Sequence, residues 1–191
     1  MPFLEYQRQI IAYHGCDESV AERALRGEEL KPSVNDYDWL GKGIYFWEHG
    51  PARALEWAQF MSTRGKVSKP AVVGALIQLG HCFDLLDVRY TARLEELYPL
   101  FVKTLIQTGG VLPANDVPRK LHRLDCAFLN WAIPQVEKQT GLVFQTVRGV
   151  FVEGNRIYPD AQIFAKSHIQ VVVRDSSAII GYFRPAAIDN S

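Results

Sequence analysis

The chain has 191 residues, 48% of them apolar and 22% charged, and its 21 basic and 21 acidic residues give a formal net charge of zero. These proportions are typical of a globular protein and exclude a disordered chain, a collagen and a coiled coil. Proteins that hold nucleic acid tightly usually carry a basic excess. A nucleic acid partner is therefore expected only as a transient substrate or at a local patch.

The sequence predicts a cytoplasmic protein without a membrane segment. The longest apolar run, Ala71 to Leu79, is far shorter than the roughly 20 residues of a membrane span. Glu5 and Arg8 lie where a signal peptide needs apolar residues, so export is not expected. Three widely spaced cysteines without a C-x-x-C pair favour a reducing compartment and argue against structural zinc: Cys16, Cys82 and Cys126.

The first half of the chain alternates short strands and helices. Asp17 is a suitable N-cap for a helix that stops at Gly27, and Pro51 is suitable as the first residue of a second helix. The turn-forming residues 31–39 predict an ordered loop. The predicted elements are a strand over 9–14, a helix from Asp17 to Gly27, a strand over 41–47 and a helix from Pro51.

The second half begins with the apolar run 71–79, which predicts a central strand buried on both faces. Two helices follow, the first containing Pro99 as an expected kink and the second with Asp116 near its cap. Strands then dominate, so the order indicates an α+β fold rather than βαβ units, in a single domain spanning 1–191. The predicted helices cover 93–107 and 118–131, within an insert of about 91–139, and the predicted strands cover 142–147, 149–153, 162–165, 169–174 and 179–183.

Three short motifs could carry chemistry. Tyr13–Gly15, at the end of the first strand, can present an imidazole N–H and free backbone groups to a ligand, although His-Gly is also common in structural turns. In G-K-G-I-Y-F, Gly41 and Gly43 permit close backbone approach. The third motif, E-G-N-R-I-Y-P-D-A-Q-I-F-A from Glu153 to Ala165, is a polar loop or an ordinary hairpin.

Two of these motifs contain side chains suited to a ligand. Tyr45, with Trp57 in the following helix, could sandwich a flat aromatic ring, or both could be core aromatics. Asp160 and Gln162 share one face of a strand by the period-2 rule and could face one cleft together with Glu153.

Taken together, the three motifs resemble the ADP-ribosyltransferase family of the poly(ADP-ribose) polymerase and diphtheria toxin type. That family carries a His, Tyr, Glu triad on three separated strands. H-G at His14 matches the first element, G-K-G-I-Y-F at Tyr45 the second, and A-Q-I-F-A-K-S-H-I-Q-V-V-V the strand of the third. The resemblance covers 13–57 and 160–174, and it implies a split antiparallel β-sheet core with flanking helices and a helical insert.

The resemblance implies roles for individual residues around NAD, the co-substrate. His14 would bond ribose hydroxyls, Gly15 would hold the nicotinamide carboxamide through its backbone, and Gly43 would belong to the same binding site. Tyr45 would stack on the nicotinamide ring, with Trp57 on its other side. The loop 31–40 would lie over the adenosine and diphosphate, and the loop 154–161 would meet the acceptor.

Two departures from the family pattern affect the expected chemistry. Ala54 stands where relatives carry a Ser that touches the carboxamide, and Gln162 falls at the triad Glu. Gln cannot act as a base, but its amide can bond the ribose 2′-hydroxyl. A shifted alignment would make Glu153 or Asp160 the working carboxylate, and Asp160 also falls where related toxins carry an acceptor-recognising residue.

The resemblance therefore implies a mono-ADP-ribosyltransferase that moves ADP-ribose from NAD to a macromolecular acceptor, either protein or nucleic acid. Relatives lacking the Glu generally do not build polymers. Small free-standing members are similar to bacterial toxins of toxin–antitoxin and phage-defence systems, so an antitoxin partner is expected. The alternatives are an NAD glycohydrolase and an inactive NAD-binding or interaction module. No metal is expected, since the histidines lack ligand spacing.

Other polar residues have simpler interpretations. His168 at a strand start is expected to be a structural histidine. Arg148 and Arg174 near strand ends are expected to be solvated, with Arg148 near the pyrophosphate as the alternative, and Glu48 is expected to be a loop charge.

Overall fold

The computed structural model describes residues 6–116 and 121–186. Within these ranges it contains four α-helices and nine strands, so the predicted α+β class is confirmed. The helices are α1 (Glu18–Leu25), α2 (Pro51–Thr63), α3 (Val88–Gln107) and α4 (Arg123–Thr140). The strands are β1 (Tyr6–Asp17), β2 (Ile44–Glu48), β3 (Pro70–Gly80), β4 (Cys82–Asp84), β5 (Asn115–Asp116), β6 (Leu121–His122), β7 (Thr146–Phe151), β8 (His168–Val173) and β9 (Ile179–Phe183).

Seven strands form one sheet in the order β4-β7-β8-β2-β1-β3-β9, while β5 and β6 form a separate two-residue ribbon. Neighbouring strands run antiparallel except β4 and β7, which are parallel. The sheet is therefore mixed: within the described residues the expected antiparallel pairing holds for five of its six strand pairs, and the edge pair β4–β7 departs from it. The cause is the short β4, which enters the sheet beside β7 with more than 60 residues of chain, including α3 and α4, between them.

Each face of the sheet has its own apolar core. One core lies under α1 and contains Ile10 and Ala12 of β1, Phe46 of β2 and alternate residues of β3. The other packs β7 and β8 against α3 and α4, with Tyr90 and Phe144 fully buried at its centre. The helical insert thus covers one face of the sheet as a second packing layer.

Several local signals act as the sequence predicts. The Asp17 carboxylate accepts the backbone N–H of Ser19 at 3.0 Å and caps α1. The chain leaves that helix through Gly27, whose φ of +93° suits glycine. Pro51 is the first residue of α2. Helix α3 continues through Pro99.

The predicted boundaries of α4 are wrong at both ends. Leu121 and His122 belong to β6, and the helix starts at Arg123 and continues through Pro134 to Thr140. Residues 118–120 of the predicted helix lie outside the described residues. The cap also differs, because the Asn115 side chain, not that of Asp116, accepts the first helical N–H groups, at 2.9 and 3.3 Å.

Three strand predictions also need correction. The predicted strands 142–147 and 149–153 are one strand, β7, over Thr146–Phe151. No strand covers 162–165, because residues 152–167 form a loop with one isolated bridge between Arg156 and Phe164. Strand β3 is fully buried only on its Val73 face, since helix α2 covers the Val72 face in part.

Candidate active site

The ladder between β1 and β2 breaks off in the middle of the sheet. Its last pair is Tyr13 opposite Trp47, beyond which β1 continues beside β3 alone and β2 beside β8. His14 and Phe46 would form the next pair, so the two strands separate there. We call this opening, bounded by His14, Gly15 and Tyr45, the split.

The His14 imidazole lies across the split. Its Nδ1 is 2.8 Å from the carbonyl oxygen of Tyr45. A carbonyl only accepts, so Nδ1 carries the proton and Nε2 is left as an acceptor. Burial lowers the pKa of His14 below 6.5, against the opposing effect of the bond to Tyr45. The ring is therefore neutral at physiological pH and can accept a hydroxyl hydrogen through Nε2.

The backbone of Gly15 faces the split. The Ile11 carbonyl accepts the N–H of His49, just after β2, which shows that odd-numbered residues of β1 direct their peptide groups towards β2. The ladder ends before Gly15, so its N–H and C=O face β2 without a ladder partner there. A side chain here is excluded, because a Cβ would lie 2.0 Å from the Ala54 carbonyl oxygen of α2.

Tyr45 holds the preceding loop in place. Its hydroxyl donates to the Gly41 carbonyl at 2.8 Å and accepts from the Leu40 N–H at 3.1 Å. Burial raises the pKa of this phenol, so it stays protonated and is not a base. Gly43, with φ +148°, lies so close to β8 that a Cβ would be 2.4 Å from a methyl carbon of Val172.

Two tryptophans lie on the same side of the sheet as Tyr45, the side that faces α2. Trp47 follows two residues later on the same face of β2 and is buried. Trp57 of α2 is 38% exposed, and its ring centroid lies 5.9 Å from that of Trp47. Among the described residues, the ring contact of Trp57 is with Trp47, so the suggested sandwich between Tyr45 and Trp57 stays a prediction.

Glu153 lies at the base of the loop 152–167 in an ion pair with Arg53 of α2. Their closest atoms are 2.6 Å apart, and the Arg53 guanidinium also pairs with Glu56. Lys166, at the other end of the loop, pairs with Glu56 at 2.9 Å and donates its backbone N–H to the Glu153 carbonyl. The four side chains form an ionic clamp that joins α2 to both ends of the loop.

Asp160 and Gln162 are exposed on this loop, away from any strand. Asp160 has φ +62°, a turn conformation that Asp tolerates. The loop is held internally by Arg156, whose guanidinium donates to the Ala161 carbonyl and stacks on the Phe164 ring at 5.1 Å. These contacts replace a sheet ladder, which is why the alternation of 162–165 does not produce a strand.

Sequence reasoning missed an aromatic row that runs across Phe151 of β7 to His168 at the start of β8, four residues before Val172, the strand partner of Tyr45. Phe151 lies between Trp39 and His168, with ring centroids 5.2 and 5.5 Å away. The Trp39 indole donates to the Gln170 side chain at 2.5 Å, and Gln170 is opposite Trp47 in the sheet. The signal was the period-2 spacing of His168 and Gln170, but it becomes informative only once β8 is known to pair with β2.

The described residues contain no group of three or more His, Cys, Asp or Glu side chains able to hold a metal ion. No helix within the described ranges is both long enough and apolar enough to cross a bilayer. A cavity of about 320 Å³ lies between the sheet and the insert, away from the split, and is lined by Trp39, Leu85, Leu94, Asp125, Phe128 and Leu129.

Comparison with known proteins gives little functional information. No family model matches the chain, and no solved structure matches it. An uncharacterized protein of the archaeon Methanocaldococcus jannaschii, MJ0359, is 30% identical over 108 residues. The match covers 54% of this chain and about half of the length of that relative.

Proposed function

We propose that the protein is an NAD-dependent mono-ADP-ribosyltransferase. The observation that carries the proposal is the split between β1 and β2. It combines an acceptor nitrogen on His14, an open peptide edge at Gly15 and the Tyr45 ring next to β8. A carboxamide needs one donor and one acceptor, which the two peptide groups of Gly15 supply.

These groups suit the cleavage of a glycosidic bond. Breaking the bond between nicotinamide and ribose develops positive charge on the ribose carbon, as in glycoside hydrolysis. A site for this reaction needs an aromatic platform and fixed hydrogen bonds more than a nucleophile of its own. Neutral His14 can accept a ribose hydroxyl hydrogen, and Tyr45, fixed by its bonds to the preceding loop, gives a rigid platform.

The acceptor side of the proposed site is the loop 152–167. Glu153 and Asp160 are assigned to acceptor contact, because the ionic clamp fixes the base of this loop beside α2. Gln162 is assigned to the ribose 2′-hydroxyl, which requires the loop to fold towards the split. Transfer of a single unit, rather than polymer synthesis, follows from Gln at this position.

The buried Ala54 limits how the carboxamide is held. Its carbonyl oxygen packs against Gly15, and its methyl group offers no hydroxyl to a ligand. The carboxamide is therefore expected to depend on the Gly15 backbone alone. This arrangement also motivates the second candidate, an inactive NAD-binding or interaction module, since one expected hydrogen bond is missing.

Nicotinamide release from NAD by the purified chain tests the proposal. Wild type should release nicotinamide, and His14→Ala and Tyr45→Ala should lose most of this activity. His49→Asn is the matched control, because His49 is exposed just beyond β2 and Asn tolerates its φ of +52°. Wild-type rates in both His14→Ala and Tyr45→Ala would refute the assignment. Binding of NAD by wild type without release of nicotinamide would support the inactive module.

Transfer of labelled ADP-ribose to macromolecules of a bacterial lysate identifies the acceptor class. Nuclease or protease treatment of the labelled product separates nucleic acid from protein. Release without labelling would identify an NAD glycohydrolase instead. Alanine variants of Glu153 and Asp160 should reduce labelling more than release, whereas Gln162→Ala should reduce both. If Glu153→Ala abolishes both release and labelling while Gln162→Ala leaves both unchanged, Glu153 is the catalytic carboxylate.

The proposed biological role is that of a cytoplasmic toxin held in check by an antitoxin. Expression of the wild-type chain in bacteria should inhibit growth, and His14→Ala should be tolerated. Equal toxicity of both forms would remove the catalytic explanation.

A further inference from the structure

Three buried polar atoms without a hydrogen-bond partner lie on neighbouring elements next to the intact part of the β1–β2 ladder, beyond the end of the split. Within residues 6–116 and 121–186 these are Nε1 of Trp47 on β2, Nε of Arg53 on α2 and Nε2 of His168 on β8. The Trp47 and His168 rings are 6.2 Å apart, and the Arg53 charge is close enough to act on His168. Trp47 and Arg53 are thus both neighbours of His168, and we call the three side chains the polar cluster. Asp38 Oδ2 and His81 Nδ1 are further buried atoms of this kind, outside the cluster.

Folded proteins pair nearly all of their buried polar atoms, because an unpaired one costs the hydrogen bonds it made to water. Several unpaired atoms in one place therefore indicate a partner that the chain itself does not supply. The cluster offers two donors, the Trp47 and Arg53 N–H groups, and one acceptor on His168. This set matches a group that carries both a lone pair and a hydrogen, such as a hydroxyl or an amide.

His168 is fixed so that its acceptor atom belongs to this cluster. Its Nδ1 lies 2.7 Å from the Lys166 carbonyl oxygen and must donate to it, which leaves the lone pair on Nε2. Burial lowers the pKa of His168 below 6.5. The Lys166 carbonyl and the Glu153 charge oppose that shift, and Arg53 adds to it. The imidazole is neutral and able to take up a proton at physiological pH.

We propose that His168 is the general base that takes the proton from the nucleophile attacking NAD. The inference rests on the proposed transferase function. The nucleophile's lone pair forms the new bond to the ribose C1′, while the C1′–N bond breaks and its electron pair goes to the nicotinamide nitrogen. The proton of the nucleophile moves to Nε2 of His168 and is then released to solvent. Trp47 and Arg53 donate to the nucleophile and orient it.

Access to His168 depends on the loop 152–167. Its base is fastened by the ionic clamp, in which Glu56 and Lys166 are nearly half exposed while Arg53 and Glu153 are mostly covered. The Glu56–Lys166 pair is solvent-exposed, and exposed ion pairs contribute little to stability. This side of the clamp can therefore open to admit an acceptor, while the covered Arg53–Glu153 pair keeps the other end of the loop on α2.

Rescue by azide separates this role from a structural one. His168→Gln keeps a hydrogen-bonding side chain but cannot take up a proton at neutral pH. NAD cleavage with water as the nucleophile should fall about 100-fold or more, the range typical of a lost general base. Sodium azide attacks C1′ without losing a proton, so it should restore nicotinamide release in the variant and yield a ribosyl azide detectable by mass spectrometry.

The pH profile gives a second readout. Cleavage by wild type should decline on the acid side as His168 becomes protonated, and this decline should be absent from the azide reaction of His168→Gln. The matched control is His122→Gln, because His122 contacts the same Phe151 ring at 5.4 Å but already pairs with Asp125. The control should keep the wild-type rate and profile.

Two outcomes would overturn the inference while leaving the transferase proposal intact. One is wild-type cleavage by His168→Gln with water. The other is loss of activity that azide does not restore in a variant whose circular dichroism spectrum and melting temperature are unchanged. Absence of nicotinamide release from wild type would instead refute the transferase proposal itself. Histidine NMR adds a test without activity, since a His168 that is protonated at neutral pH contradicts the base role.

Discussion

The Arg148 side chain gives the sharpest test of what holds the sheet together. It is buried between two carboxylates, with Nε 2.6 Å from Glu48 and Nη1 3.1 Å from Asp84. These residues join β7, β2 and β4 on one face of the sheet. Both carboxylates are buried, so this triad of Arg148, Glu48 and Asp84 carries one positive and two negative charges out of water, and the exposed Arg8 lies 3.8 Å from Glu48.

Replacing Arg148 by Met keeps the unbranched apolar stem of the side chain, removes the guanidinium, and leaves two buried carboxylates without their cation. Breaking a buried ion pair by removing one partner costs about 3–5 kcal/mol. For a chain of this length each kcal/mol lowers the melting temperature by roughly 2–4 °C. We therefore expect Arg148→Met to melt roughly 6–20 °C below wild type, measured by calorimetry and checked by urea denaturation.

A surface pair provides the control. Arg184→Met removes an ion pair to Glu22 whose arginine side chain is 70% exposed, and it should cost less than about 1 kcal/mol. Adding Glu48→Gln to Arg148→Met should recover part of the loss, because the repulsion between the carboxylates is relieved. Equal losses for Arg148→Met and Arg184→Met, or further destabilisation by Glu48→Gln, would refute this account of the triad.

Three further predictions concern single sites. Gly15→Ala should lower the melting temperature by several degrees, because its Cβ would clash with the α2 backbone and overpacking costs about 1–3 kcal/mol; Gly181→Ala, with open space around it, should not. The N–H of Lys69, with other donors, lowers the pKa of Asp17, so Asp17→Asn should destabilise the protein at pH 7. Urea titrations should show the difference shrinking progressively as the pH falls below about 4, where the unfolded chain's carboxylate takes up its proton while the native one stays ionised. Burial raises the pKa of Cys16 to about 11, so Ellman's reagent should label it only after unfolding, and rapid labelling of the native protein would contradict its burial.

Elements governed by local chemistry could be predicted from the sequence. The Asp17 cap, the left-handed Gly27 and Pro51 at the start of α2 each depend on a few neighbouring residues, and each is confirmed. The ends of α4 depend on distant partners. Its cap comes from Asn115, eight residues before the helix, and the helix passes through Pro134 while packed against α3.

The interpretation of charged residues failed where tertiary pairing decides. Arg148 and Glu48 are predicted to be solvated and are buried against each other. Nothing in the local sequence of either residue indicates burial, because Arg148 and Glu48 are 100 residues apart in the chain. Once β8 is placed between β7 and β2, Arg148 lies level with Phe46 and on the same face of the sheet as Glu48, so the ion pair follows from the register.

The candidate site shows the same division. The residues predicted from motifs, His14, Gly15 and Tyr45, meet at the split because each motif sits where its own strand changes partner. The role expected for Gln162 depends on a strand over 162–165, which does not form. His168 begins the strand that does form beside β2, and it carries a buried acceptor atom that only the register reveals.

The split itself links the sheet to the proposed chemistry. Ending a ladder within a sheet normally leaves peptide groups unpaired, which is costly when they are buried. Here the His14 ring donates to the Tyr45 carbonyl oxygen, which the β1 backbone no longer hydrogen-bonds. The N–H and C=O of Gly15 have no ladder partner on β2. Replacing His14 therefore removes a structural bond and an acceptor atom together. For that reason His14→Ala should be compared with His14→Asn, which can still donate to the Tyr45 carbonyl. If His14→Asn is more stable than His14→Ala but does not cleave NAD, the structural and catalytic roles of His14 are separate. If His14→Asn recovers both stability and NAD cleavage, His14 serves only to bond the Tyr45 carbonyl across the split.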